Sequence, residues 1–240
     1  GGAETEISAE DALRTALRLG DSVLIVGEVR SLEAKALYEA MRVGAVGNVV
    51  MGTIHGESAY GIWDRVVNDL GVPTTSFKAT DFAVVSAPIR FKGSLARHRR
   101  LVEVTEVLKH WTNDPYTEKG FLKWLEFDAG RDALNLFDDE IKKSEWMKKI
   151  QRTRGLSPED IWNEIVARAE TKQHLVDLKN KHELPAILEA ENAVHAHAKY
   201  LIMAEKQRQE FGSIEYKQLV DDWKKWVKDD LLKDLMKNNA

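Results

Sequence analysis

Residues 23–26, Val-Leu-Ile-Val, form an apolar run closed by Gly27. With Ser22 they read as a short strand over 22–26, and the lack of alternation predicts a strand covered on both faces, as in a parallel sheet. Parallel neighbours require long crossovers, usually helical, so this run demands helices on either side of it. The chain supplies them. In ISAEDALRTALRLGD, Ser8 is placed to cap a helix with Asp11 at its third position; Leu13, Ala16 and Leu17 share one face, Arg14 and Arg18 another. After the strand, Ser31 is placed to cap SLEAKALYEAMRVG, with Gly44 at the left-handed stop. NVVMGTI (48–54) reads as a second buried strand ending at His55, and SAYGIWDRVVNDL (58–70) as a third helix stopped by Gly71-Val72-Pro73. The alternation defines an α/β class.

Further on, a short helix is expected near TSFKATD, then strands at 82–91 and 101–108 joined by the basic connection KGSLARHR. From about Trp111 the texture changes. FLKWLEFDAGRDALNLF reads as a small hairpin over 121–137 turned by DAGRD, with a helix from Arg131 as the alternative. LSPEDIWNEIV carries a capping signature, Ser157 with Pro158 at the first helical position and Asp160 three residues after the cap. From there to Asn238 the pattern is helical, punctuated by Pro185 and Gly212. Two packed subdomains are expected, residues 1–110 and a mainly helical 111–240.

Composition removes several function classes. Residues 1–110 hold 13 basic against 14 acidic side chains, so no broad basic surface argues for nucleic acid. There is no cysteine, which excludes disulfides, thiolate metal sites and cysteine nucleophiles and makes the cytoplasm the default location. No window approaches the ~18 apolar residues of a membrane span, and the N-terminal segment lacks the pattern of a signal peptide. His195 and His197 sit at i, i+2, so on a helix they point apart and make a poor chelate. His174 and His182 share a face without a third ligand and read as surface residues. The stripe Leu219, Trp223, Trp226, Val227 and Leu231 reads as core packing, with a docking face as the alternative. ARHRR (96–100) could meet phosphate or lipid headgroups, while a solvated hairpin tip is the plainer account.

Ligands in α/β sheets lie beyond the carboxyl ends of the strands. That rule selects Gly27 to Arg30 and Thr53 to Ser58. A carboxylate at Glu28 could hold magnesium through water or orient an attacking water; His55 emerges likewise, followed by Gly56, which permits close backbone approach. On spacing alone GEVR is equally a strand end with a surface ion pair.

The residues themselves add more. ALRTALRLGDSVLIVGEVRSLEAKALYEAMRVGAVGNVVMGTIHGESAYGIWDRVVNDLGVPTTSFKATD resembles the second half of the motor core of the type II/IV secretion ATPase superfamily, which powers pilus assembly, protein secretion and the archaellum, and is most similar to its archaeal branch. VLIVGEVR is similar to the Walker B strand with its glutamate, and TIHGES to the histidine box. The resemblance spans about residues 8–108, and more weakly the hairpin and helical tail. It implies half of a RecA-like P-loop NTPase core, the Walker B side, followed by an α-rich C-terminal subdomain. It implies that Glu28 is the Walker B acid acting near Mg and the γ-phosphate, and that His55 senses the terminal phosphate of ATP. Gly27, Thr53, Arg30 and Arg18 are then expected around the nucleotide, with Arg30 either bracing the loop or reaching across a subunit interface.

The resemblance also implies a homo-oligomer, a hexameric ring, docked peripherally on the inner face of the cell membrane against a polytopic platform protein, with no nucleic acid bound. One departure limits it: no GxxxxGK[ST] P-loop and no acidic segment ahead of Walker B occur in these 240 residues. The chain is therefore expected to be a C-terminal portion, inactive by itself, of an ATP hydrolase. The alternative is a non-catalytic ring subunit of such a machine.

Overall fold

The computed structural model describes residues 7–18, 23–31, 33–43, 49–90 and 95–238. They divide into two compact units, 1–146 and 147–240, the boundary falling in the first turn of a helix.

In the first unit, α1 (Ala9–Arg18) leads to β1 (Val23–Val26), α2 (Glu33–Val43), β2 (Val49–Gly52) and α3 (Ala59–Asp64), which continues as a wide turn over Arg65–Asp69. Ser8 caps α1 as expected and Ser58 caps α3, whereas the Ser31 hydroxyl donates to the Glu33 carboxylate at 2.8 Å, and among the described residues no α2 amide bonds to it. The Asp11 amide donates to Ser8 Oγ at 3.1 Å, and the Gly61 amide to Ser58 Oγ at 3.0 Å. Gly71 stops the third helix with φ +67°, a conformation that favours glycine. The proposed Gly44 stop lies outside the described residues. β1 and β2 pair in parallel, Val23 with Val49 through Val26 with Gly52. Leu13, Val29, Leu37, Tyr38, Trp63, Val66 and Phe77 form the core beneath them, with Leu24, Val26 and Val50 packed against it.

The expectation that these strands are covered on both faces is corrected. Among the described residues the sheet has two strands, and its other face presents Val23 (60% exposed), Ile25 (68%), Val49 (53%) and Met51 (49%) to solvent. The physical reason is that α1, α2 and α3 pack against the opposite face, where the core forms.

After α4 (Thr74–Phe77) come β3 (Phe82–Ile89), β4 (His98–Val107), β5 (Phe121–Asp128) and β6 (Ala133–Leu136), a single antiparallel sheet in that order. β3 ends two residues earlier and β4 begins three residues earlier than expected. The 121–137 segment is the hairpin, not the alternative helix. Because β4 also pairs with β5, Val104 against Leu125 and Val107 against Phe121, the change of texture near residue 110 falls inside one sheet rather than between units. The buried Glu106 carboxylate ties this sheet to the helices after it. It accepts from Trp124 Nε1 at 3.1 Å and from the Trp146 amide at 2.7 Å, beyond α5 (Asp138–Ile141) and at the start of α6 (Glu145–Arg154).

In the second unit, α7 (Pro158–His182) carries the capping box, with the Asp160 amide donating to Ser157 Oγ at 3.0 Å and the Ser157 amide to Asp160 Oδ2 at 3.3 Å. A 3-10 turn at Pro185–Leu188 precedes α8 (Ala190–Phe211), which Gly212 ends at φ +74°. α9 (Tyr216–Trp226), a wide turn over Val227–Leu231 and α10 (Leu232–Asn238) complete it. The aromatic stripe is core: Leu219, Trp223, Val227 and Leu231 are buried, Trp226 packs against the same cluster, and Trp223 Nε1 donates to the Ala196 carbonyl at 2.8 Å. His174 is half-buried with its ring edge-on to Trp223, so it is a packing residue more than a surface one.

Candidate functional site

Parallel pairing carries both candidate loops to the same end of the two-stranded sheet. Past the ladder the strands remain stitched: the Thr53 amide donates to the Val26 carbonyl at 3.3 Å, and the Val29 amide to the Thr53 carbonyl at 2.9 Å. The Thr53 hydroxyl donates to the Gly27 carbonyl. Thr53 thus spends its hydroxyl on the loop that bears Glu28. Val29, 5% exposed, anchors that loop in the core and passes close to Gly52, where a Cβ would sit 3.2 Å from Val29 Cγ2.

Gly27, Glu28, Arg30, Thr53 and His55 are therefore brought together, as expected from the strand-end rule. The Glu28 carboxylate, 28% exposed, accepts from Arg30 Nη2 and has His55 Nε2 3.3 Å from its second oxygen; His55 is 83% exposed. The Arg30 hydrogen bond holds the Glu28 carboxyl below the usual carboxylate range against the opposing effect of burial, helped by the charges of Arg30, His55 and Arg65. In return Glu28 raises the Arg30 guanidinium. Gly56 serves a close approach, but to the protein itself: a Cβ there would lie 2.7 Å from Ile62 Cγ1 and 3.2 Å from the Ile62 amide. Arg14 and Arg18 lie on α1, with side chains outside those described.

Two residues of this site escape a reading of the motifs. Glu33 accepts from the amides of Arg30 (2.8 Å) and Ser31 (3.0 Å) and from Ser31 Oγ (2.8 Å), so a carboxylate at the start of α2 pins the loop leaving Glu28. Those donors, the Arg30 amide foremost, lower its carboxyl to about 2. Arg65 keeps a buried Nε without a hydrogen-bond partner and adds its charge near Glu28. Chemically, the arrangement offers one ionised carboxylate beside an imidazole. That suits a water-mediated hold on Mg2+, whose remaining ligands are ordinarily waters and phosphate oxygens. No cluster of three or more His, Asp or Glu among the described residues could chelate an ion unaided.

A mixed α/β unit with a Walker B-like acid and a histidine at adjacent parallel strand ends fits part of a RecA-like ATPase domain. Residues 2–113, just under half of the chain, match the family described as type II/IV secretion system protein. An uncharacterized protein of Methanocaldococcus jannaschii is 30% identical over 187 residues, which cover 76% of this chain and 64% of the relative. A second uncharacterized protein of that organism is 27% identical over 176 residues, 72% of this chain and 30% of its own length. The type IV pilus retractation ATPase PilT of Pseudomonas aeruginosa is 43% identical over 58 residues, 24% of this chain and 16% of that protein. The chain thus spans less than two thirds of each of these relatives. No described helix is long and apolar enough to cross a membrane.

Proposed function

We propose that the chain is the C-terminal portion of a secretion, pilus or archaellum motor that couples ATP hydrolysis to assembly or export of a protein through a membrane platform. The observation that carries this reading is the ionised Glu28 carboxylate meeting His55 across the ends of two parallel strands. In the working protein Glu28 holds Mg2+ through water and orients the attacking water, and His55 meets the terminal phosphate of ATP. The bound Mg·ATP supplies the phosphoryl group and neutralises its charge. Thr53 and Glu33 keep the Glu28 loop in place, and the Arg30 hydrogen bond orients the Glu28 carboxylate.

Residues 1–110 carry the ATPase role as the Walker B half of a RecA-like core; β5 and β6 complete a sheet of the same compact unit, 1–146, and residues 147–240 form a helical unit. The open apolar face of β1 and β2 supports the half-core reading, because parallel sheets are stable when both faces are covered. The assembly is a homo-oligomeric, hexameric ring, cytoplasmic and peripheral to the membrane. A second reading, a non-catalytic ring subunit, is favoured by the absence of a P-loop from these 240 residues.

Genomic sequence separates the two: an in-frame GxxxxGK[ST] upstream of residue 1 supports the motor, and an independent start site supports the ring subunit. In the full-length protein, Glu28→Gln is expected to abolish MgATP hydrolysis with nucleotide binding retained. Wild-type turnover in that variant would remove Glu28 from the mechanism. The 240-residue chain alone is expected to show no turnover, and turnover abolished by Glu28→Gln in that chain would refute the half-core reading.

A further inference from the structure

Between Asp81 and Glu103 the sequence holds five Lys or Arg residues and no acidic one, in a chain whose formal charge is −4. The described parts of this run, β3 and the start of β4, form an arm. β3 and β4 pair from Phe82 with Glu106 out to Ile89 with His98, whereas the ladder from β4 to β5 begins only at Glu103. Strand alternation then sorts the charges by face. On one face, Arg100 is held by Asp132 through a fork of 2.8 and 3.0 Å, and His98 lies near the same carboxylate. On the other, Arg99 stands opposite Pro88, with Arg97 and Arg90 on the same side; all three are exposed and have no carboxylate within ion-pair distance among the described residues. Leu95, at the end of the arm, is 86% exposed.

A solvated tip accounts for the arginines but leaves a leucine almost wholly in water at the end of the arm. A surface of negative charge over hydrocarbon accounts for both, since guanidinium groups pair bidentately with phosphates and a leucine gains by leaving water. We infer that the β3–β4 arm docks the protein on a bilayer through anionic phospholipid headgroups, with Arg90, Arg97 and Arg99 contacting phosphates and Leu95 entering the acyl boundary. This extends the membrane-peripheral location proposed above by naming a surface and a ligand. It does not depend on the ATPase reading, because vesicles free of any platform protein test it.

The 240-residue chain is co-sedimented with phosphatidylglycerol–phosphatidylcholine vesicles and with pure phosphatidylcholine vesicles, at about 0.1 M and about 1 M salt, where screening lengths are ~10 and ~3 Å. Binding is expected to require the anionic lipid and to fall at high salt. Each arginine near the surface is worth about fivefold in partitioning, so the triple variant R90Q/R97Q/R99Q is expected to lose about a hundredfold. Leu95→Ser is expected to lose about tenfold. Unchanged circular dichroism and unfolding midpoints in both variants show that the fold is intact. Equal partitioning onto the two vesicle types, or a triple variant that binds within about twofold of wild type, would overturn the inference. So would a DNA duplex that displaces anionic vesicles through the same three arginines, which would assign the arm to nucleic acid.

Discussion

Glu33 offers a measurement of how firmly the Glu28 loop is held. Its carboxylate accepts three hydrogen bonds, from the Arg30 and Ser31 amides and Ser31 Oγ, and its carboxyl falls from 4.5 to about 2. For a fully buried group that change would correspond to about 3 kcal/mol of native-state preference for the ionised form. The group is only half-buried, so screening leaves about 1 kcal/mol. The sign follows from the direction. A carboxyl lowered in the folded state contributes stability that is fully present above its unfolded value of 4.5 and lost as pH falls through about 2. Glu33→Gln keeps the shape and one acceptor oxygen while removing the charge. It is expected to lower the unfolding free energy of the 240-residue chain by about 1 kcal/mol at pH 7, with the difference closing between pH 4.5 and 2. Urea unfolding followed by tryptophan fluorescence measures this. In parallel, the amide shifts of Arg30 and Ser31 in the folded protein should titrate with a midpoint near 2. Amide midpoints near 4.5, or a stability difference that does not change with pH, would refute the claim that Glu33 ties down the loop.

Three further perturbations address the site and the first unit's packing. Arg30→Gln is expected to move the Glu28 carboxyl upward, since the Arg30 hydrogen bond is the largest cause of its lowering; carboxyl-carbon NMR reads the titration, and an unmoved Glu28 would contradict the geometry. Gly120→Ala would place a Cβ 2.2 Å from Cδ1 of the buried Trp111 and is expected to cost about 3 kcal/mol in thermal unfolding of the first unit, whereas a neutral effect would deny that contact. Ile25→Lys is expected to change the stability of the 240-residue chain by less than about 0.5 kcal/mol and to reduce light scattering, because Ile25 lies on the open face. In the full-length protein the same substitution should be strongly destabilising, and equal tolerance in both would count against the half-core proposal.

Signals that act over a few residues are legible in the sequence. Ser8, Ser58 and Ser157 cap helices because a hydroxyl meets an orphan amide three residues on whatever lies elsewhere. Gly71 and Gly212 stop helices because a positive φ is a property of one residue. The strand-end rule also placed Glu28 and His55 on one side, since parallel strands separated by a helix share their direction. The merging of two hairpins into a four-stranded sheet was not legible, because β4 could pair with β5 or stand apart with the same local pattern. Nor were the roles of Arg65 and Glu33, which depend on which helix face and loop turn toward the carboxylate.

The sequence by itself thus determined the elements, their caps and the acid–histidine pair, because those rest on local hydrogen bonding and on a parallel crossover. Tertiary structure alone decided that Thr53 serves the Gly27 carbonyl, that Arg30 and His55 share one carboxylate, and that one face of VLIV stays open. Each of those depends on which surfaces meet across the chain, and short-range pattern carries no information about that.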